Sequence, residues 1–319
     1  MPKPRIAITL GDVAGIGPEI TYGAVNSLKI QRVCSPVIFG GRQSLKLFQK
    51  LQRSGKAELI ECSDISRNIT AGQPSAAGGA IAVAAIERAV EHCLSKKTDA
   101  LVTAPVSKES LKLAGVKYPG HTEMLAALTK SKKFAMMMAC GKIHAVMVTR
   151  HIPLSEVPFN IKTKEIVETV KTAAGFLKKC GNIKNIKTAV CGLNPHAGDN
   201  SILGFEEKKF ILPACRILRK LKIDVSLPMP ADSAWLKTKN GEYDLICGMY
   251  HDQIMIALKC IDAGKVVNVT AGLPFVRTSP GHGTAFDIAG KGLANPQSMA
   301  EAIIYAADSV CATDSAKCR

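Results

Sequence analysis

Tyr243-Asp244-Leu245-Ile246-Cys247-Gly248-Met249-Tyr250-His251-Asp252 is a short apolar run that stops at a histidine. The run has the length and composition of a buried strand, and its last residues have turn chemistry. The same arrangement occurs twice more. His151 follows Ile143-His144-Ala145-Val146-Met147-Val148 and sits in Arg150-His151-Ile152-Pro153; His196 follows Thr188-Ala189-Val190-Cys191-Gly192-Leu193 and sits in Asn194-Pro195-His196-Ala197-Gly198. Open α/β sheets bind ligands beyond the carboxyl ends of their strands. Three imidazoles at three such ends can converge on one divalent metal. Taken singly, each is also readable as an ordinary loop histidine; the repetition is what favours the metal.

Outward from these runs, short apolar segments alternate with longer amphipathic ones, the pattern of an α/β fold. Ile6-Ala7-Ile8-Thr9-Leu10 reads as the first strand, followed by Gly11-Asp12-Val13-Ala14-Gly15-Ile16-Gly17-Pro18-Glu19, with Pro18 placed to open a helix. This stretch is neither a dinucleotide fingerprint nor a P-loop, so a tight turn before a helix is its plain interpretation. Val37-Ile38-Phe39-Gly40 and Asp99-Ala100-Leu101-Val102 read as strands. Helices are expected near Ser44 to Gln52, over Ala76 to Lys96 (expected to be the longest), Lys164 to Cys180, Glu206 to Leu221 with Pro213 interrupting it, and Asn295 to Ala307.

The chain has 319 residues, 47% hydrophobic and 21% charged, enough for a large core and two lobes. No apolar run reaches membrane-spanning length, and the start does not resemble a signal peptide. Eleven scattered cysteines without a Cys-x-x-Cys pair suit a reducing compartment, so a cytoplasmic location is expected. A net charge of +16 raises a nucleic-acid role. The basic residues are spread in pairs such as Lys178-Lys179, however, and aromatics are 5% without a recognition motif. Attraction of anionic substrates accounts for the charge more simply; neither nucleic-acid nor membrane partners are expected.

Several segments in order resemble the 4-hydroxythreonine-4-phosphate dehydrogenase family of vitamin B6 synthesis over nearly the whole chain. They are Thr9-Leu10-Gly11-Asp12 with Gly17-Pro18-Glu19, Thr103-Ala104-Pro105-Val106-Ser107-Lys108, Pro119-Gly120-His121-Thr122-Glu123, Thr149-Arg150-His151-Ile152-Pro153-Leu154, Gly192 to Gly198, Pro230-Ala231-Asp232-Ser233, Tyr250-His251-Asp252-Gln253, and Asn268-Val269-Thr270 with Gly272 to Ser279. In addition, Gly281-His282-Gly283-Thr284-Ala285-Phe286-Asp287 through Asn295-Pro296 is similar to the adenine-side loop of isocitrate and isopropylmalate dehydrogenases, with Phe286 where those enzymes carry proline.

The resemblance implies an isocitrate/isopropylmalate dehydrogenase-like two-lobed α/β/α sandwich with its active site in the interlobe cleft. It implies a discontinuous cofactor lobe (1–123 plus 276–319) and a metal, substrate and dimerisation lobe (124–275). It assigns metal binding to His151, His196 and His251, with one zinc, cobalt, magnesium or manganese ion per site and His251 reaching into the neighbouring subunit of a homodimer with shared active sites. Substrate binding goes to His121, Thr122, Lys259, Asn268 and Arg277. NAD or NADP binding goes to His282, Gly283, Thr284, Ala285, Asp287 and Asn295. The implied reaction oxidises 4-phosphohydroxy-L-threonine at C3 and then decarboxylates it to 3-amino-2-oxopropyl phosphate, a step toward pyridoxal 5'-phosphate. Asp232 is the candidate proton acceptor, with helix capping as its structural alternative. Arg277 has a structural salt bridge as its alternative. The chain departs from the family at Ile254-Met255-Ile256, where glycine and a nearby proline are common, and at Pro280-Gly281, where aspartate is frequent. Those changes bear on the substrate, and erythronate or threonate 4-phosphate is the alternative.

Overall fold

The computed structural model describes residues 2–65, 69–118, 120–181 and 183–317. The chain forms two compact units, Met1–Lys132 with Val267–Arg319, and Lys133–Val266. These limits differ from the expected ones after 123 and before 276. The helix His121–Leu128 is a single element that a boundary at 123 would cut, and the strand Val267–Ala271 pairs with Val276–Pro280 in the first unit.

In the first unit, strands β1 (Arg5–Thr9), β2 (Ser35–Gly41), β3 (Glu58–Ser63) and β4 (Ala100–Thr103) are joined late in the chain by β10 (Val267–Ala271) and β11 (Val276–Pro280). Their order is β3-β2-β1-β4-β11-β10, parallel except for β10, which runs antiparallel to β11. The helix Ala76–Leu94 buries Ala82, Ala85, Ile86, Ala89, Val90 and Cys93 at helical spacing, packing with Ala7, Phe39 and Leu101 from the strands. Ser75 caps this helix by accepting from the Gly78 N–H. It is shorter than the closing helix Gln297–Lys317, which runs well past the expected end at Ala307. The expected helix from Ser44 to Gln52 is three short turns spanning Arg42–Arg53.

The second unit holds β5 (Ala135–Cys140), β6 (Ile143–Met147), β7 (Lys187–Val190), β8 (Asp224–Val225) and β9 (Leu245–Gly248) in the order β5-β6-β9-β7-β8. β6, β9, β7 and β8 are parallel, and β5 makes an antiparallel hairpin with β6. β9 is fully buried, as its unbroken apolar run requires. Pro213 interrupts the expected helix as read: Glu207–Ile211 is wound as a π-turn, and the regular helix Leu212–Lys220 begins beside the proline.

Candidate active site

The three histidine-bearing runs are neighbours. β9 lies between β6 and β7, with Val146 and Val190 both in register with Cys247, so their carboxyl ends emerge side by side. His251 opens the helix His251–Asp262, and its ring centroid lies 5.7 Å from that of His151 in the same chain. Two imidazoles on one zinc-sized ion stand roughly 5–6 Å apart by centroid, given a metal–nitrogen distance near 2 Å. His251 Nδ1 is 2.6 Å from Asp252 Oδ1, a hydrogen bond that orients the ring and leaves Nε2 available. Among the described residues, no group of three or more His, Cys, Asp or Glu gathers as a metal site; the structure brings His151 and His251 together and not His196.

His196 sits in an unusual turn. From His196 to Ser201 every residue has positive φ, between 40° and 82°, and only Gly198 among them is glycine. Each non-glycine residue there costs roughly 1–2 kcal/mol, so neighbouring contacts must impose the shape. The buried carboxylate of Glu207 accepts from the Leu193 and Asn194 N–H groups through Oε1, both at 2.8 Å, and from Asn194 Nδ2 through Oε2 at 3.0 Å. Glu206 also accepts from Asn194 Nδ2, at 2.8 Å. Gln253, two residues past His251, donates to the Gly192 carbonyl and accepts from the Met249 N–H, tying together the ends of β7 and β9.

In the first unit a different kind of site forms on the sheet itself. Arg277 of β11 is completely buried. Its Nη1 donates to Thr270 Oγ1 (2.8 Å) and its Nη2 to Thr103 Oγ1 (2.6 Å), while Nε is shielded from solvent and has no partner. No ion pair involves it among the described residues, so the structural salt bridge is not what the fold makes. Burial pushes the guanidinium down to about 9, with the Glu123 carboxylate opposing. Two further groups in the first unit are shielded without partners: Asn268 Oδ1 on β10, and Nε2 of His121, whose ring feels the Arg277 charge. Burial, then Arg277, then Lys108, hold the His121 imidazole well below its ordinary range, so it is neutral. His121 opens the helix His121–Leu128, with Thr122 buried behind it; Pro119 of the same motif lies outside the described residues. Lys259 is exposed in the second unit, two turns beyond His251.

The Gly11–Glu19 stretch is a tight turn leading into the helix Gly17–Val25. It also holds the loop after β11. The Ile16 N–H donates to the Thr284 carbonyl (3.0 Å), a Glu19 carboxylate oxygen accepts from the Gly290 N–H, and a side chain on Gly15 would strike the Thr284 carbonyl. His282, Gly283, Asp287 and Asn295 are exposed, Thr284 and Ala285 half-buried, and Ala285 has φ of 44°. Asn295 also accepts from the Gln297 N–H at the start of the last helix. Asp232 lies in the first turn of the helix Ala231–Lys239, whose N-cap is Pro230; its Oδ1 accepts from the Ser233 N–H (2.7 Å), so the expected capping position is off by two residues. Glu207 lies outside every motif read from the sequence, and Thr103 and Gln253 fall within motifs without being singled out for a role. Arg150, also within a motif but given no role there, stacks over Phe134 at 5.3 Å and keeps Nη1 buried without a partner.

The model for the pyridoxal phosphate biosynthetic protein PdxA matches residues 21–306. The chain belongs to the PdxA family. It is 39% identical to a 4-hydroxythreonine-4-phosphate dehydrogenase from a Sulfurihydrogenibium species, covering 94% of this chain and 96% of the relative. It is 38% identical to a D-threonate 4-phosphate dehydrogenase from Cupriavidus necator, covering 96% and 97%. The crystal structure of a 4-hydroxythreonine-4-phosphate dehydrogenase from Klebsiella pneumoniae superposes with a TM-score of 0.86 at 35% identity, covering 96% of this chain and 98% of that one. Isocitrate dehydrogenase from Methylococcus capsulatus shares the fold alone, with a TM-score of 0.50 at 14% identity over 98% and 88% of the two chains. As a PdxA protein the chain is an NAD-dependent oxidoreductase with an α/β fold related to such dehydrogenases. The residues suit the family's two cofactors. The His151–His251 pair places two imidazole rings at a spacing that fits a divalent ion, and the positions His282, Gly283, Asp287 and Asn295 are exposed, as a dinucleotide-binding surface requires.

Proposed function

We propose that the chain oxidises 4-phosphohydroxy-L-threonine at C3 with NAD or NADP and that the resulting β-keto acid loses carbon dioxide to give 3-amino-2-oxopropyl phosphate, in pyridoxal 5'-phosphate synthesis. The observation that carries this is the trio of shielded, unpartnered groups: Arg277 Nε and His121 Nε2 on the ring-and-guanidinium side, and the acceptor Asn268 Oδ1. A buried cation left without a carboxylate calls for an anionic ligand, and a shielded carbonyl oxygen calls for a hydroxyl or amino N–H. A phosphorylated hydroxy acid supplies both.

In this proposal Arg277 grips an acidic group through a planar fork held by Thr103 and Thr270, and exposed Lys259 neutralises a second as a point charge. His151, His196 and His251 hold one divalent ion, zinc, cobalt, magnesium or manganese. When bound, that ion supplies Lewis-acid polarisation of the C3 oxygen and the dinucleotide supplies a hydride acceptor. Asp232 is the proposed acceptor of the hydroxyl proton. The loop from His282 through Gly283, Thr284, Ala285 and Asp287 to Asn295 is the proposed cofactor surface, in a two-lobed sandwich of the isocitrate dehydrogenase kind.

The active form is proposed to be a homodimer in the cytoplasm. The second unit exposes Leu154, Phe159, Ile202 and Phe205 close in sequence to His151 and His196, an apolar surface of the kind subunit contacts cover. The family resemblance had His251 crossing to the neighbour; since His251 stands beside His151 of its own chain, the ligand proposed to cross is His196.

The alternative substrate is threonate or erythronate 4-phosphate. It is supported by relatives of both kinds at equal similarity, 39% for a hydroxythreonine phosphate enzyme and 39% for a putative threonate phosphate enzyme from Halalkalibacterium halodurans. A panel of the three phosphorylated acids, following reduced nicotinamide, tests the proposal. Highest kcat/KM on 4-phosphohydroxythreonine supports it; a clear preference for threonate or erythronate 4-phosphate replaces it with the alternative, and turnover of none of them overturns both.

A further inference from the structure

The turn carrying His196 adopts a backbone that its own residues disfavour, and one buried side chain holds the segment that leads into it. Glu207 is buried, begins the π-turn Glu207–Ile211, and sends both carboxylate oxygens back into Leu193-Asn194. Its contacts extend beyond these hydrogen bonds. A Cβ on Gly198 would come within 2.6 Å of Glu207 Oε2, and one on Gly192 within 3.1 Å of Oε1, so glycine on either side of His196 leaves room for the carboxylate. The π-turn matters here because its extra residue per turn re-aims the side chains at its start. Nothing in the dehydrogenase chemistry requires an acid at this position, and the Glu207 carboxylate is hydrogen-bonded to Leu193 and Asn194, neither of which is a proposed substrate or cofactor residue.

We propose that Glu207 is a positioning residue for His196: its carboxylate fixes the Leu193–Pro195 backbone and thereby the direction in which the imidazole presents its metal-binding nitrogen. The two N–H groups that it accepts immediately precede Pro195, whose ring restricts its own φ. Orientation set at Asn194 is therefore carried directly to His196. Asn194 strengthens the clamp by donating its side-chain amide to both Glu206 and Glu207. This inference rests on the metal-binding role proposed for His196.

The test uses the full-length, metal-stripped protein with two substitutions. Glu207→Gln keeps the side-chain length and one carbonyl oxygen for the two N–H groups. Glu207→Asp keeps the charge but withdraws the carboxylate by one methylene. Calorimetric titration with Co2+ should show affinity reduced about 10–100-fold in the Asp variant, the range found for partners that orient metal ligands, and largely kept in the Gln variant. Circular dichroism should show both folded. In the metal-free state, the His196 ring resonances should move in the Asp variant and stay in place in the Gln variant. A folded Asp variant with unchanged His196 resonances overturns the proposal, as does failure of either variant to fold, which would make Glu207 a residue of the fold. His196→Ala separates the two ideas: unchanged Co2+ affinity in that variant removes the metal role of His196, while the ring resonances still decide whether Glu207 positions it.

Discussion

The two units solve the problem of presenting polar groups in opposite ways. In the first, Arg277, Asn268, Thr270 and Thr103 lie on β-strands, and their positions follow from strand pairing. In the second, His151, His196 and His251 lie beyond the strand ends and depend on added tethers: Asp252 for His251, and Glu207 with Gln253 for the turn at His196. A strand-borne site is rigid and can hold a buried charge without a partner. A loop-borne site accepts backbone strain, which must be held from outside. Substitutions in the first unit should therefore change ligand affinity with little change in structure, whereas those in the second should act through geometry.

The largest effect is expected in the second unit. His151→Ala and His251→Ala should each lower kcat/KM more than about 100-fold, since even the outer partners of metal ligands cost 10–100-fold. The pairing within one chain makes a sharper point. Mixing His151→Ala with His251→Ala subunits should restore nothing, because every site then lacks one member of its pair. Mixing His196→Ala with His251→Ala under exchange should restore some activity if the proposed dimer forms with His196 crossing, since one of its two sites then keeps all three histidines. Recovery in the first mixture would mean that His251 serves the neighbour after all.

Arg277→Met should reduce kcat/KM by roughly 30-fold to several thousand-fold, corresponding to about 2–5 kcal/mol for a desolvated charge contact. The melting temperature should hold or rise, because an unpaired buried charge is exchanged for an apolar side chain of similar length. A clear fall in melting temperature with normal substrate affinity would make Arg277 structural.

Stability against pH gives a smaller effect. Burial, reinforced for His121 by Arg277 and Lys108, depresses its imidazole below the ordinary 6.5; His92 and His144 are shifted the same way, also first by burial. The unfolded chain takes up protons below that value while the fold refuses them. Stability is thus fully present above about 6.5 and is lost as pH falls below it. Denaturant titrations from pH 7.5 to 5 should show this slope, and His121→Gln should lessen it by at most about 1.4 kcal/mol per pH unit, the limit for one proton. An unchanged slope would place a protonated His121 in the fold.

Glu19→Gln is expected to have the smallest effect. It weakens the hold on the Gly290 N–H and so should raise KM for NAD only a few-fold, roughly the 0.5–1.5 kcal/mol of one hydrogen bond, with substrate KM unchanged. A larger change in substrate KM would mean that the loop serves the other ligand.

The two kinds of site also differ in how far the sequence reveals them. Strand runs ending at His151, His196 and His251 are visible because buried parallel strands are unbroken apolar runs, and Pro213 marks its helix start through its missing N–H. The order β6-β9-β7 is not visible, since pairing depends on contacts between distant segments. The same limit hides Thr103 and Thr270 as holders of Arg277, and Glu207 as the clamp on a turn eleven residues earlier, at His196: an exposed and a buried glutamate look alike in a charged helix. The extra length of the Gln297–Lys317 helix is not legible because its late residues mix polar and small side chains without a stop signal.

A metal held by the paired histidines is proposed to be required for oxidation of a phosphorylated hydroxy acid. Stepwise addition of Co2+ to the metal-stripped protein, with saturating 4-phosphohydroxythreonine and NAD, tests it most directly through the rate of NADH formation. The rate should start near zero and rise until one ion is bound per chain, while His251→Ala stays flat throughout. Full NADH formation before any ion is added would contradict it.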